Sequence, residues 1–388
     1  MAKLGDIGKV ITGNTPKTSD SQNYASNDVC FVKPSDIVDG TVTYLENSEF
    51  YVSEYARAKA RVLPPKSVLV TCIGIIGKVA INNVECAFNQ QINAIIPDKS
   101  KCLTEYLAYA IQNKQAEMQD IANAPVVPIL NKTQFSDIEI KLPSLSEQEN
   151  IIQRLNAVSK LISLRKEQLA KLDQLVKSRF IELFGDPEHN EKAIPTLPMT
   201  ELCEIIDGDR GANYPKQEEF SDNGFCLFLN AKNVTANGFS FENCMFITAE
   251  KDKLLRKGKL SRGDVVLTTR GTIGNLAFYD GAVPYEHIRI NSGMVILRMK
   301  RERITERFFI EQFKMQLASI KEKIASGSAQ PQLPISTMNK IVMLVPDVDL
   351  QHQFAAFVEQ TDKSKMAIQQ SLEKLELLKK SLMQEYFG

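Results

Sequence analysis

No run of about 18 or more apolar residues occurs in this 388-residue chain, so no membrane-spanning helix is expected. The opening residues, MAKLGDIGKV, lack the long apolar core of a secretory signal. The seven cysteines (Cys30, Cys72, Cys86, Cys102, Cys203, Cys226 and Cys244) form no Cys-x-x-Cys pair. Their scatter argues against a disulfide framework or a zinc site and for reduced thiols in a cytoplasm. Histidine is scarce: His189, His287 and His352 lie far apart, and neither a histidine-based metal site nor a catalytic triad is expected. Net charge is missing as well, with 47 basic residues balancing 47 acidic ones, where many nucleic-acid binders carry a basic excess. What remains is ordinary globular composition, 43% hydrophobic and 24% charged, in a chain long enough for two or three domains.

The balance hides an uneven distribution. Residues 251–262, KDKLLRKGKLSR, carry six basic side chains against one acid, and residues 298–307, RMKRERITER, carry five against two. Each run can be a phosphate-facing patch or a solvated helix or loop face.

Catalytic motifs fail on inspection. LVTCIGIIGKVAI (69–81) contains Gly74-Ile75-Ile76-Gly77-Lys78, in outline the tail of a phosphate-binding loop. A Walker loop needs Gly-x-x-x-x-Gly-Lys-Ser/Thr, but Cys72 stands at the first glycine and Val79 at the hydroxyl. A glycine-rich turn between two strands fits better. No Asn-Pro-Pro-Tyr/Phe or Gly-x-Gly-x-x-Gly segment supports a methyltransferase or dinucleotide site. The Glu-x-Lys of DIEIK (137–141) is lost in its counterpart KIVML (340–344). No catalytic or metal-ligating residue is therefore assigned.

The same glycine stretch has a partner. VVLTTRGTIGNLAF (265–278) aligns with it at an offset of 197 residues, Val68 with Val265, Thr71 with Thr268, Gly74 with Gly271, Gly77 with Gly274 and Ala80 with Ala277. FVKPSDI (31–37) meets FLNAKNV (228–234) at the same offset. Farther on the offset grows to 203. There PILNKTQFSDIEIKLP (128–143) meets PQLPISTMNKIVMLVP (331–346), with Pro128, Leu130, Ile138 and Pro143 in register, and LAKLDQLVKSRFIELFG (169–185) meets LEKLELLKKSLMQEYFG (372–388). A period of about 200 residues is a tandem domain duplication, since solenoid repeats run ~20–50.

Each copy ends in a long helix. PSLSEQEN places Ser146 as N-cap with Glu149 three residues on, a capping box. Apolar residues then recur at Ile152, Leu155, Val158, Ile162, Leu169, Leu172, Val176 and Leu183, and in the second copy at Phe354, Phe357, Val358, Ile368, Leu372, Leu375, Leu378 and Leu382. This spacing of three and four is a coiled-coil seam, and Leu175 is assigned to it with Leu172, Leu375 and Leu378. Helices of ~35–40 residues are ~55–60 Å long. The proline-rich connection DPEHNEKAIPTLP (186–198) reaches at most ~45 Å, which favours antiparallel helices. The expected molecule is two similar heads held apart by a two-helix rod, with approximate twofold symmetry.

Within each head, strand-like runs alternate with a helix. DVCFVKP (28–34), SVLVTCI (67–73), KVAI (78–81) and INAIIP (92–97) are rich in Val and Ile. LTEYLAYAIQNKQAEMQDIA (103–122) and ITERFFIEQFKMQLASIKEKIA (304–325) read as amphipathic helices, so the fold class is α+β. The domain boundaries are head 1 at 1–143, helix 1 at 144–185, head 2 at 186–345 and helix 2 at 346–388.

Repeat, heads and helices together resemble the specificity subunit of type I restriction–modification systems over the whole chain. The resemblance rests on the head opening LGDIGKVITGNTPKTSDSQNY…FVKPSDI, the turn TTRGTIGN, and LPSLSEQENIIQRL at the helix start, with Pro143 and Gln148 matched by Pro346 and Gln351. It implies two target-recognition domains joined by a long antiparallel two-helix coiled coil with pseudo-twofold symmetry. It also implies a non-catalytic subunit whose heads each read half of a split double-stranded DNA target, with the coil fixing the gap. Two methyltransferase subunits would dock on it, and restriction/translocase subunits would join them. No cofactor is expected in this chain; S-adenosylmethionine, ATP and Mg belong to the partners, all in the cytoplasm.

A DNA-reading head needs phosphate anchors and a few side chains with paired donors and acceptors. The candidates in head 1 are Asn14, Thr15, Lys17, Lys33, Ser35 and Asp36, with Asn89, Gln90 and Gln91. In head 2 they are Arg210, Asn213, Lys216, Asn230, Lys232, Asn233, Arg270, Asn291 and Ser292. Arg270 is the strongest of them, since it replaces Ile73 beside the shared glycine turn. The basic run 251–262 suits phosphates, with YARAKAR (55–61) its nearest counterpart in head 1. The rival reading, a two-headed protein-binding coiled-coil adaptor, accounts for rod and duplication. It does not explain why corresponding loops diverge while the helix ends stay alike.

Overall fold

The glycine repeat becomes the same strand–turn–strand in both halves. Val68–Thr71 pairs antiparallel with Val79–Asn82, Val68 opposite Ile81, and Val265–Thr268 pairs with Leu276–Phe278, Val265 opposite Phe278. Thr71 stitches the turn: its hydroxyl donates to Ile75 O at 2.6 Å and accepts from the Lys78 N–H at 3.0 Å. Thr268 repeats both bonds, to Thr272 O and from the Asn275 N–H. Gly77 and Gly274 hold φ of +85° and +93°, a region open to glycine at little cost.

In the computed structural model, which describes residues 1–122, 127–325 and 332–388, the chain divides into two units. Met1–Lys166 with Gln370–Gly388 forms unit 1, and Glu167–Gln369 forms unit 2. Pro331, aligned above with Pro128, lies outside the described residues.

Unit 1 holds a five-stranded sheet in the order Gly8–Thr12, Ile92–Pro97, Val68–Thr71, Val79–Asn82, Val42–Leu45. A four-stranded sheet follows the order Phe50–Val52, Val29–Val32, Cys86–Phe88, Val62–Leu63, its central pair parallel. Unit 2 repeats the plan with Cys203–Asp207, Met294–Met299, Val265–Thr268 and Leu276–Phe278 in one sheet. Its second sheet holds Phe246–Ile247, Cys226–Leu229 and Ile288–Ile290, the last two parallel. DIEIK enters as the short strand Glu139–Ile140 on Ala2–Lys3. The helix expected over 103–122 is two helices, Thr104–Asn113 and Gln115–Ile121, interrupted where Lys114 takes φ −89° and ψ 8°.

The two long helices are Leu145–Phe184 and Val348–Phe387. The first begins two residues earlier than expected. Ser144, not Ser146, closes the capping box, its main-chain N–H donating to Glu147 Oε2 at 2.9 Å and its hydroxyl to the same oxygen at 2.7 Å. Each unit contains one segment of each helix, and the segments run antiparallel. In unit 1 Arg154 donates to the Tyr386 hydroxyl at 3.1 Å and Lys166 pairs with Glu376 at 3.0 Å. In unit 2 Asp173 pairs with Lys365 at 2.6 Å, and Phe180 sits against Phe354 with ring centroids 5.5 Å apart.

The seam feeds directly into the head cores. Ile152, Leu155 and Phe387 join the unit 1 core beside Tyr106 and Val68, while Val176, Phe180, Phe184, Phe354 and Val358 join that of unit 2 beside Phe308 and Val265. Leu175 and Leu378 do not belong to it: they are 48% and 47% exposed. The helical period carries the buried stripe through Val176, Phe180 and Phe184 and leaves Leu175 about 100° round the helix from Val176.

Gln148 and Gln351, both fully buried, fasten helix to head. Gln148 accepts the Leu103 N–H at 2.8 Å and donates to Lys101 O and Pro143 O, both at 3.0 Å. Gln351 accepts the Thr305 N–H and donates to Arg303 O and Pro346 O, all at 2.9 Å.

Candidate nucleic-acid interface

Four connections converge at one edge of head 1: those following the strands that end at Thr12, Val32, Thr71 and Phe88. Main-chain bonds knit them together, Asn14 N–H to Phe88 O at 3.0 Å, Asn89 N–H to Val32 O at 3.2 Å and Cys72 N–H to Gln91 O at 2.7 Å. Lys78 Nζ reaches Pro34 O at 3.3 Å. Head 2 uses the same stitches, with Asn291 N–H on Leu229 O at 3.2 Å and Thr269 N–H on Gly293 O at 2.8 Å. Asn275 takes the place of Lys78 and donates to Val234 O at 2.9 Å. The approach is close enough to demand glycine: a Cβ on Gly13 would lie 2.1 Å from Asn89 O, and one on Gly208 2.2 Å from Asn291 O.

The candidate residues divide by what their side chains already do. Asn14 donates to Lys59 O and accepts the Arg61 N–H, both at 2.8 Å. Asp36 accepts the N–H groups of Lys33 at 2.7 Å and Glu49 at 2.9 Å. Asn89 is buried, donates to Gln91 Oε1 at 2.8 Å and accepts the Gln91 N–H at 3.1 Å. In head 2 Asn230 accepts the Lys232 N–H at 2.9 Å, and Asn291 accepts the Gly293 N–H at 2.9 Å. Asn233 is 1% exposed and spends its amide on Asn230, Ser240 and Asn243 main-chain groups. These side chains hold the turns.

Others face outward. Thr15 donates to Gln90 Oε1 at 2.7 Å, both residues exposed. Lys33 lies with its ammonium 3.1 Å from the Phe50 ring centroid, and Ser35, Lys17, Lys216 and Lys232 are exposed. Arg210 bonds Asp207 at 3.1 Å and Ser292 O at 3.3 Å, joining the loop after Asp207 to the 291–293 turn. Asn213 donates to Leu254 O at 3.3 Å. Arg270 is bridged through its main chain to Gln332, as Ile73 is to Ile129. Its side chain is exposed and has no partner among the described residues. The structure thus brings Thr15, Gln90 and Gln91 together in head 1, and Arg210, Asn291, Ser292 and Arg270 in head 2.

The basic runs separate clearly. In 298–307 every cation is engaged inside unit 2: Arg298 with Asp264 at 2.9 Å, Lys300 with Thr200 O at 3.4 Å, Arg301 with Glu306 at 2.5 Å, Arg303 with Glu201 at 3.4 Å and Arg307 with Asp362 at 2.9 Å. In 251–262, Lys251 pairs with Glu219 at 2.8 Å, Lys259 with Asp252 at 2.6 Å, and Arg262 lies 4.1 Å from the Tyr279 ring centroid. Lys253, Arg256 and Lys257 are left exposed. Arg256 and Lys257 border the interface loops, since the Arg256 N–H donates to Asp209 Oδ2 at 2.7 Å and a Cβ on Gly258 would lie 3.3 Å from Gly208 Cα. The Asp209–Arg256 contact reproduces Asn14–Arg61 of head 1, which identifies YARAKAR as the structural counterpart of this run.

Sequence reasoning missed the residue that shapes this basic segment. Arg289 is 5% exposed and bonds Asp252 Oδ1 at 2.5 Å, Lys257 O and Asp252 O at 2.7 Å each, and Leu255 O at 3.1 Å. Burial pushes the Asp252 carboxyl up, but the hydrogen bonds from Lys259 and Arg289 more than offset it and hold it below the ordinary carboxylate range. Head 1 has Ala87 in the parallel strand at that place, opposite Phe31 as Arg289 is opposite Phe228. The only sequence signal was a lone Arg inside the apolar run IRI. Among the described residues no group of three or more His, Cys, Asp or Glu could hold a metal ion, and no helix is long and apolar enough to cross a membrane.

Comparison with known proteins gives a consistent result. The sequence model of the type I restriction modification DNA specificity domain matches residues 1–174 and again 196–378. The chain is 25% identical over 377 residues to the type I restriction enzyme MjaIX specificity subunit of Methanocaldococcus jannaschii, covering 92% of this chain and 85% of that one. The crystal structure of the type I restriction–modification S subunit from M. genitalium superposes with a TM-score of 0.59 at 15% identity, covering 100% of this chain and 95% of that one. A chain from a structure of type I restriction–modification complex assembly gives 0.57 at 16% identity, with 99% and 96% coverage.

Proposed function

The chain belongs to the type I restriction modification DNA specificity family, whose domain it carries twice, and from that premise we propose that each head reads one half of a bipartite DNA target. It is a non-catalytic, DNA-recognising specificity subunit. The observation that carries the finer reading is the twin interface: two matching main-chain bonds, Asn89 to Val32 and Cys72 to Gln91 in head 1, Asn291 to Leu229 and Thr269 to Gly293 in head 2, hold the loops in both heads, with different side chains outward. A shared frame with divergent tips is what two readers of different half-sites require. In head 2, Arg270 and Arg210 supply paired donors suited to guanine O6/N7, and Arg256 and Lys257 supply phosphate contacts. In head 1, Thr15, Gln90 and Gln91 carry donor and acceptor groups.

The paired long helices fix the gap between half-sites and dock two methyltransferase subunits. Exposed apolar side chains on the helices suit that docking: Leu161, Leu164 and Leu377 in unit 1, and Leu175 and Met366 in unit 2. S-adenosylmethionine, ATP and Mg belong to partner subunits, and the complex works in the cytoplasm with restriction/translocase subunits.

Selection of bound sequences from random duplexes by the chain in complex with methyltransferase subunits tests the reading. A split consensus with one gap length is expected. An uninterrupted site, or no enrichment at all, would sink it.

A further inference from the structure

The two interface edges differ in kind. Where head 2 presents Arg270, head 1 presents isoleucine. Ile75, at the tip of the glycine turn, is 57% exposed, and Ile129, bridged to Ile73, is 50% exposed. The turn is held by Thr71 on the inside and by Gly74 and Gly77 at φ of +79° and +85°. Its position is fixed on both flanks. Cys72 bonds Gln91 O at its start, and Lys78 bonds Pro34 O at its end. Ile75 is thus the exposed tip of a turn whose start is tied to Gln91, next to the Thr15–Gln90 pair, and whose end is tied to Pro34 of the Lys33–Asp36 turn.

Among the groups on a major-groove edge, the thymine C5 methyl is the one read by apolar contact rather than by a hydrogen bond. We infer that Ile75 is a specificity-determining residue of head 1 that packs on a thymine methyl group in its half-site. The proposal rests on the reading that this edge faces DNA. Gly74 leaves the tip unobstructed, since a Cβ there would meet nothing within 4 Å. Head 2 has Thr272 in place of Ile75, a side chain with a single γ-methyl and so a smaller apolar surface.

The test uses the chain with its methyltransferase subunits and synthetic duplexes of the selected target, in which each thymine of the head 1 half-site is replaced in turn by deoxyuridine. One position should lose about fourfold in affinity, the worth of burying one methyl group. That loss should disappear in Ile75→Ser, while deoxyuridine in the head 2 half-site should act identically on both proteins. A half-site without thymine, uniform tolerance of deoxyuridine, or an unchanged loss in Ile75→Ser would overturn the proposal. Arg270→Ala serves as the separate arm. If it changes base preference in the other half-site while Ile75→Ser changes nothing, the methyl contact alone fails. If neither substitution alters DNA preference, the edge itself is not the DNA-facing surface.

Discussion

Gln148 accepts the main-chain N–H of Leu103 at 2.8 Å from a fully buried position in the first turn of its helix. Gln351 does the same to Thr305 at 2.9 Å in the second unit. Each glutamine also donates to two carbonyls, so a single amide ties the helix start to the strand–helix connection of the head. The contact is therefore a joint between recognition element and helix, and its loss should be felt as stability.

Gln148→Leu keeps the volume and strands one N–H and two carbonyls. At about 1–3 kcal/mol for an unpaired buried group, with partial relaxation, the expected cost is about 2–4 kcal/mol. Chemical denaturation monitored by a probe in unit 1 checks it, and Gln351→Leu should produce the same loss in unit 2. Changes below about 0.5 kcal/mol in both would mean that the joint is incidental.

The glycine turns predict a graded pair. Alanine at Gly274 must hold φ of +93° and would place Cβ 2.2 Å from Leu317 Cδ1, whereas alanine at Gly271 meets nothing within 4 Å and suffers only φ of +71°. Gly271→Ala should cost about 1 kcal/mol, and Gly274→Ala about 1–3 kcal/mol more. Equal melting curves for the two variants would contradict this.

Arg289 and Asp252 form a buried pair, and removing one partner leaves the other charge unpaired. Arg289→Met should cost about 3–5 kcal/mol and disorder the 253–257 segment. The pH dependence follows from Asp252, whose carboxyl is held below its ordinary range in the folded state. A depressed carboxyl contributes stability above its unfolded value of about 4 and loses it as pH falls through the folded value. Stability curves of wild type and Asp252→Asn should therefore converge below about pH 4. Parallel curves across that window would refute the assignment.

Head 2 should show two separable kinds of DNA contact. Arg270→Ala should relax preference at one base position by about 1–3 kcal/mol. Lys257→Ala should weaken binding uniformly and lower the slope of log affinity against log salt by about 1. Titrations at several salt concentrations against matched and mismatched duplexes separate the two.

Much of this was legible because duplication turns one sequence into two noisy copies of one design. Thr71 and Thr268, Gly77 and Gly274, and Gln148 and Gln351 each recur with the same bonds. Four features were hidden. Leu175 and Leu378 match a coiled-coil spacing by count, yet rotation of the helix turns them outward. The run 298–307 looks like a basic patch until Asp264, Glu201 and Asp362, distant in sequence, pair with it. Asn14 and Asp209 play one role on an offset of 195 residues rather than 197, so an alignment anchored on the glycine turn places them out of register. Polar residues such as Asn233 read as surface groups because composition cannot show that a turn has closed over them.

The central claim is that two heads read two half-sites at a distance set by the helices. It is tested most directly by inserting seven residues after Lys171 and seven after Ala367, near the Asp173–Lys365 pair. One heptad in each helix keeps the seam in phase and adds about 10 Å. Bound-sequence selection with this variant should return the wild-type half-sites with a gap longer by about three base pairs. An unchanged gap, or altered half-sites at the original gap, would contradict the account.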